Sequence, residues 1–141
     1  MAGEKINDFR DLRVWNDAMT LAESVYRASR TFPPEEISGL TSQIRRAAVS
    51  IPSNIAEGHA RAHLKEYINF LSIAQGSIAE LETQLILARR IGFLRESDYT
   101  NLDESLRAVR RQLYALRTAL MRNLKPGQSV SEEEVPYIDS C

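Results

Sequence analysis

Between residues 64 and 88 the apolar positions Leu64, Tyr67, Leu71, Ala74, Ile78, Leu81, Leu85 and Ala88 alternate three and four apart without a fault. Only an α-helix puts residues so spaced on one side. Four heptads of seam make a rod of roughly 40 Å, and such a rod needs other long helices to cover it. Ile68, Ile73, Ile86, Leu87 and Ile91 widen the face. The spacing predicts a helix over 63–91, closed by Gly92. His63 stands where a serine or threonine would form a capping box with Glu66. Gly76 costs about 1 kcal/mol relative to Ala in a helix interior, and is expected to let a neighbour approach closely.

Three more segments read the same way. Over 12–31, Leu12, Trp15, Met19, Ala22 and Tyr26 form one stripe, and Val14, Ala18, Leu21, Val25 and Ala28 form a second. Two stripes make a wider face than one bundle seam requires, so this helix is expected to be central or to meet another subunit. Phe32-Pro33-Pro34 ends it. Over 97–123, Leu102, Leu106, Val109, Leu113, Leu116 and Leu120 step by four and three, with Lys125-Pro126-Gly127 following. The remaining segment, over 39–58, completes an all-α, up-down-up-down four-helix bundle as one domain, 1–125. Residues 126–141 have no stripe and read as a flexible acidic tail ending in Cys141.

Gln43–Gly58, QIRRAAVSIPSNIAEG, breaks several local rules. Leu40, Ile44, Ala47 and Ile51 step as a helix, and the stripe then runs into Asn54 and Gly58. Pro52 lies inside the pattern and removes a backbone hydrogen bond, so a second helix kinked at Pro52 is expected. The rival is two short helices with Pro52 in the first turn of the second. The unbroken phase across the proline favours one helix, with Gly58 as its stop. Ser50, Asn54 and Glu57 form a polar ridge beside the stripe, and buried polar groups must be paired. Arg46, one turn earlier, is placed to reach an acid such as Glu80 or Glu82 on the third helix, or a neighbouring subunit. A structural polar network of Arg46, Ser50, Asn54, Glu57, Glu80 and Glu82 is therefore expected rather than an active site.

No nucleotide-binding, hydrolase, zinc-protease or CxxC motif is present. His59, His63 and Glu66 share a helical spacing, but a helix break falls among them and neither histidine follows a glutamate by three. No catalytic residue, metal or cofactor is expected. No apolar run spans a membrane and the start is polar, so a cytoplasmic protein without a membrane partner is expected. Cys141 has no internal partner, which suits a reducing compartment.

The net charge of −1 hides a division. Residues 1–125 hold all 18 cations, 15 of them arginine, against 15 acids, a net +3; the tail holds four acids and no cation. Arg45, Arg46, Arg89, Arg90, Arg107, Arg110 and Arg111 are the candidate contacts to a nucleic-acid backbone. The plainer reading of any one of them is surface ion pairing with nearby acids.

The segments FRDLRVWNDAMTL, FPPEE, GLTSQIRRAAVSIPSNIAEG and FLSIAQGSIAELETQL resemble the four-helix-bundle family of 23S rRNA intervening-sequence proteins, over about residues 9–123. The match runs through Gln43, Arg45, Arg46, Ala47, Ser50, Ile51, Pro52, Asn54, Ile55, Ala56, Glu57 and Gly58, and again at Gly76, Ser77, Glu80 and Glu82. The departure is His63, where a small hydroxyl cap is commoner. The resemblance implies a small bacterial protein that assembles as a homopentamer around a central pore. It implies kinship in fold with the accessory variability protein of diversity-generating retroelements, whose relatives bind nucleic acid through basic surfaces and work with a reverse transcriptase. RNA or DNA, and a nucleic-acid-processing protein, are therefore expected partners. A protein-interaction scaffold without nucleic acid is the alternative.

Overall fold

The computed structural model describes residues 8–124. Four helices, α1 (Arg13–Ser29), α2 (Leu40–His59), α3 (Leu64–Arg90) and α4 (Glu96–Met121), make up most of it. Short 3-10 turns at Phe9–Asp11 and Pro34–Glu36 precede α1 and α2. No strand occurs among the described residues. Each helix packs against its neighbours in chain order, and α1 packs on α4 to close the ring.

The core is the one the heptads predict. Leu21, Ile44, Ile51, Ile55, Leu71, Ile78, Leu81, Leu85, Leu106 and Leu113 are all under 3% exposed. Each such side chain contributes about 1.5–3 kcal/mol when removed from water. On α1 only the second stripe turns inward: Val14, Ala18, Leu21 and Val25 are buried, joined by Ala22. Trp15 and Met19 are half-buried, and Tyr26 is exposed.

α2 is one helix with Pro52 inside it. Glu36 caps it from the preceding turn, its Oε2 accepting the Leu40 N–H at 2.9 Å. That satisfies one of the orphan donors of a helix start. Gly58 does not end the helix, as expected from the sequence, but lies buried within its last turn. A Cβ there would stand 2.7 Å from Cβ of Phe70 and 3.1 Å from Cδ1 of Tyr67, so the absent side chain lets α2 and α3 converge beside their connection. Gly76 shows the opposite. It is exposed, and a Cβ added to it would meet nothing within 4 Å, so the close neighbour expected from the sequence is absent.

Gly92 takes φ +83° after α3. The Phe93 N–H reaches the Ala88 carbonyl at 2.9 Å and the Gly92 N–H the Arg89 carbonyl at 3.1 Å, which is a Schellman closure. Phe93 then meets Phe32 with ring centroids 5.8 Å apart, tying the α3–α4 turn to the α1–α2 turn. His63 is the N-cap of α3 and makes no capping bond.

Every seam also has a polar side-chain tie. Arg45 Nε donates to Ser29 Oγ at 2.9 Å between α2 and α1. The Ser50 and Ser77 hydroxyls meet between α2 and α3. Arg110 pairs with Glu82 at 2.8 Å, and Arg117 Nε donates to Ser72 Oγ at 2.8 Å, between α4 and α3. Gln112 Nε2 donates to Asp17 Oδ2 at 2.6 Å between α4 and α1. The acidic stretch 126–141 and Cys141 lie outside the described residues.

Candidate nucleic-acid interface

The seven arginines singled out from the sequence do not form one patch. Arg45 is held by Ser29, with its guanidinium 4.7 Å from the Tyr26 ring centre. Arg89 lies 4.1 Å from the Tyr99 ring centre and 3.7 Å from Glu96. Arg107 donates to Asp103 at 2.9 Å, and Arg110 is taken by Glu82. Arg46, Arg90 and Arg111 are exposed and make no ion pair with any described residue. They sit on three different helices.

Cations concentrate on α4. From Ser105 to the C-cap Arg122 there are five arginines and no acid. Arg107, Arg111, Tyr114, Thr118 and Arg122 recur at helical spacing, which puts them along one outer stripe. Arg117, beside the stripe, is bonded to the neutral hydroxyl of Ser72, so no acid cancels its charge there. Tyr114 stands in the middle, 64% exposed. An open groove of about 430 Å³ runs between α3 and α4, lined by Gln75, Ile78, Ala79, Glu82, Arg110, Arg111 and Tyr114 itself. Guanidinium groups suit phosphate because their fork matches two oxygens at once.

Opposite α3 and α4 in the ring, a larger groove of about 670 Å³ opens between α1 and α2. Phe9, Trp15, Met19, Tyr26, Val49 and Pro52 line it, with Glu23, Arg27 and Arg30 at the rim. This is where Trp15, Met19 and Tyr26 of the first stripe go: they face out of the bundle, into an apolar trough with no partner helix among the described residues, while Leu12 and Ala22 of the same stripe are buried in the core.

The polar ridge of α2 behaves differently from the expected network. Asn54 Nδ2 donates to the Ser50 carbonyl at 2.7 Å and to Ser50 Oγ at 3.0 Å. Ser50 Oγ lies 2.7 Å from Ser77 Oγ, and Ser77 Oγ donates to the Ile73 carbonyl at 3.3 Å. The structure thus joins Ser50 and Asn54 and adds Ser77. It does not bring Arg46, Glu57, Glu80 or Glu82 into that chain. Glu57 pairs with Arg61 at 3.0 Å. Glu82 is occupied by Arg110, because α4 rather than α2 faces that side of α3. Glu80 Oε1 accepts from Gln84 at 3.2 Å, while its Oε2 is buried without a hydrogen bond.

The histidines do not converge. His59 stacks edge-on against Tyr67 with centroids 5.7 Å apart, and burial pushes the Tyr67 hydroxyl up to about 12. Among the described residues no group of three or more His, Cys, Asp or Glu stands close enough to hold a metal ion. No helix there is long and apolar enough to cross a membrane.

Tyr114, Arg117 and Ser77 are the residues that sequence reasoning passes over as site members. The signal for Tyr114 is in the sequence: it falls one turn after Arg111, on the face shared with Arg107. The Leu113 and Leu116 seam beside it points to packing instead.

A family model described as 23S rRNA-intervening sequence protein matches residues 10–115. No curated protein matches. Among solved structures, the chain is similar to a protein of unknown function from the S23 ribosomal protein family of Bacteroides thetaiotaomicron VPI-5482. The two are 22% identical, with a TM-score of 0.70 over 74% of this chain and 95% of the other. At that identity the likeness is one of fold.

Proposed function

The chain belongs to the 23S rRNA-intervening sequence protein family, and from that premise we propose that it is a non-enzymatic, homo-oligomeric bundle that binds the RNA or DNA backbone through arginines. The observation that carries this reading is the acid-free half of α4, with its exposed Arg107, Arg111 and Arg122. Of these three, Arg107 alone pairs with an acid among the described residues. Arginine charge left uncancelled on one outer face attracts phosphate, and phosphate contacts position a strand without reading its bases. Of the seven arginines named from the sequence, Arg107, Arg110 and Arg111 belong to this face; Arg45, Arg46, Arg89 and Arg90 stand apart from it.

Assembly as a homopentamer is part of the same proposal. Its support is the α1–α2 groove, where Trp15 and Met19 are only half-covered by the described residues of their own chain and Val49 is exposed. A second copy seated there leaves the α4 face, across the bundle, free. A bend of α2 at Pro52 belongs here too. Pro52 has no N–H to offer the Ala48 carbonyl and lines the groove, so a bend there shapes the surface met by the next copy.

The test is binding of structured RNA and duplex DNA across a salt series. Log affinity is expected to fall linearly with log salt, by about 0.7–0.9 per phosphate neutralised. Absence of binding at low salt sinks the reading. The same groove supports the second reading, a scaffold that docks proteins alone. A protein partner that stays bound after nuclease treatment, with no nucleic acid retained, favours that one.

A further inference from the structure

We infer that Tyr114 is a stacking platform for an unpaired base, so that the α4 face takes single-stranded nucleic acid in preference to duplex. The inference rests on the nucleic-acid reading above and names the class of strand. Tyr114 has the greatest exposure of the large apolar side chains among the described residues, at 64%. Four other rings carry one of the chain's own arginines: Arg10 over Phe9, Arg45 over Tyr26, Arg61 over Phe70 and Arg89 over Tyr99; Trp15, Phe32, Tyr67 and Phe93 instead meet another ring. Arg110 and Arg111 lie one helical turn before Tyr114, yet no guanidinium of a described residue lies over its ring. Glu82 holds Arg110 at 2.8 Å, and Arg111 stays exposed.

The result is an open aromatic face beside Arg111, whose charge no described acid cancels. Arg107, Arg111 and Tyr114 span about 10 Å along the helix axis. Charge complementarity picks a polyanion, and the free ring picks one whose bases are accessible. In a duplex the bases are stacked on one another, and a flat protein ring finds no base to cover. In a single strand each base offers a π-face to an aromatic side chain while the phosphates follow the basic groove. Stacking of this kind tolerates any base, so it adds strand-type selectivity without sequence specificity.

The experiment compares a fluorescent oligouridylate, an abasic strand of equal length and a duplex, titrated with the full chain. The wild type is expected to bind the oligouridylate roughly 5- to 150-fold more tightly than the abasic strand, the range for one stacked base. Tyr114→Leu is expected to erase that ratio, and Tyr114→Phe to keep it. Arg111→Gln is expected to weaken both strands alike. Equal wild-type affinity for the oligouridylate and the abasic strand overturns the platform while leaving backbone binding intact. So does a Tyr114→Leu variant that keeps the ratio. A change of oligomer mass in Tyr114→Leu assigns the ring to a subunit contact and overturns it as well. If the wild type binds none of the three probes, the nucleic-acid reading falls, and this inference with it.

Discussion

Ser50 on α2 and Ser77 on α3 place their hydroxyl oxygens 2.7 Å apart, and the groups on either side give that contact a direction. The Asn54 amide nitrogen can only donate, and the Ile73 carbonyl can only accept. Protons therefore run from Asn54 to Ser50, from Ser50 to Ser77 and from Ser77 to Ile73. Each hydroxyl donates once and accepts once, which suits a half-buried seam.

Breaking this relay is expected to cost stability. Ser77→Ala leaves the Ser50 hydroxyl facing a buried apolar wall, a loss of about 1–3 kcal/mol. The Ser50→Ala/Ser77→Ala pair is expected to cost less than the sum of the single changes, because the second removal orphans nothing new. Urea unfolding of the four members of this cycle measures the coupling. Asn54→Ala is expected to lower the melting temperature by a few degrees, or to disassemble the oligomer; an unchanged melt and mass contradict the structural role assigned to it.

The two glycines of α2 and α3 are expected to respond with opposite signs. Gly58→Ala gains helix propensity but sets a methyl 2.7 Å from Phe70 Cβ, which is anchored on the backbone and cannot swing away. Overpacking of that kind costs about 1–3 kcal/mol and outweighs the gain. Gly76→Ala meets nothing within 4 Å and is expected to stabilise by up to about 1 kcal/mol. Thermal melts of the two variants decide this.

Alkaline pH is expected to loosen the α2–α3 corner. The Tyr67 hydroxyl titrates near its ordinary 10.0 when unfolded and is pushed by burial to about 12 when folded. Above the lower value the unfolded chain loses a proton that the folded chain keeps, so stability present at neutral pH falls between about pH 10 and 12. Denaturant unfolding of Tyr67→Phe across that window is expected to show a shallower fall than the wild type.

A charge placed in the α1–α2 groove is expected to separate subunits without unfolding them. Val49 is 42% exposed, so Val49→Glu leaves the core untouched. Light scattering after gel filtration is expected to show a smaller particle with unchanged helical circular dichroism. A wild-type protein that is monomeric at micromolar concentration removes the basis of this prediction and of the homopentamer.

The stripes of the sequence locate the helices well, because periodicity is a property of one helix at a time. Expected ends at 12–31, 39–58, 63–91 and 97–123 differ by no more than two residues from Arg13–Ser29, Leu40–His59, Leu64–Arg90 and Glu96–Met121. What the pattern does not supply is the relation between helices. Glu82 is one turn from Ile78 on the seam, yet only the rotation of α3 decides that it meets Arg110 and not Arg46. Gly58 resembles a stop because composition records its flexibility and not the 2.7 Å approach of Phe70. The outward stripe of Trp15 and Met19 is visible as excess apolar width, but not as a groove.

The polar ties between neighbouring helices have a consequence for alignment. A leucine stripe repeats every heptad, so shifting one helix along its partner restores much of the apolar contact. The ties do not repeat. Ser29–Arg45, Ser50–Ser77, Glu82–Arg110 and Asp17–Gln112 run round the bundle as a closed circuit. A helix displaced by one turn, about 5.4 Å, breaks its contacts with both neighbours at once. The circuit thus serves as a checksum on the fold: an arrangement that satisfies the oil but not the polar pairs is marked as an error and carries the cost of every group left unmet.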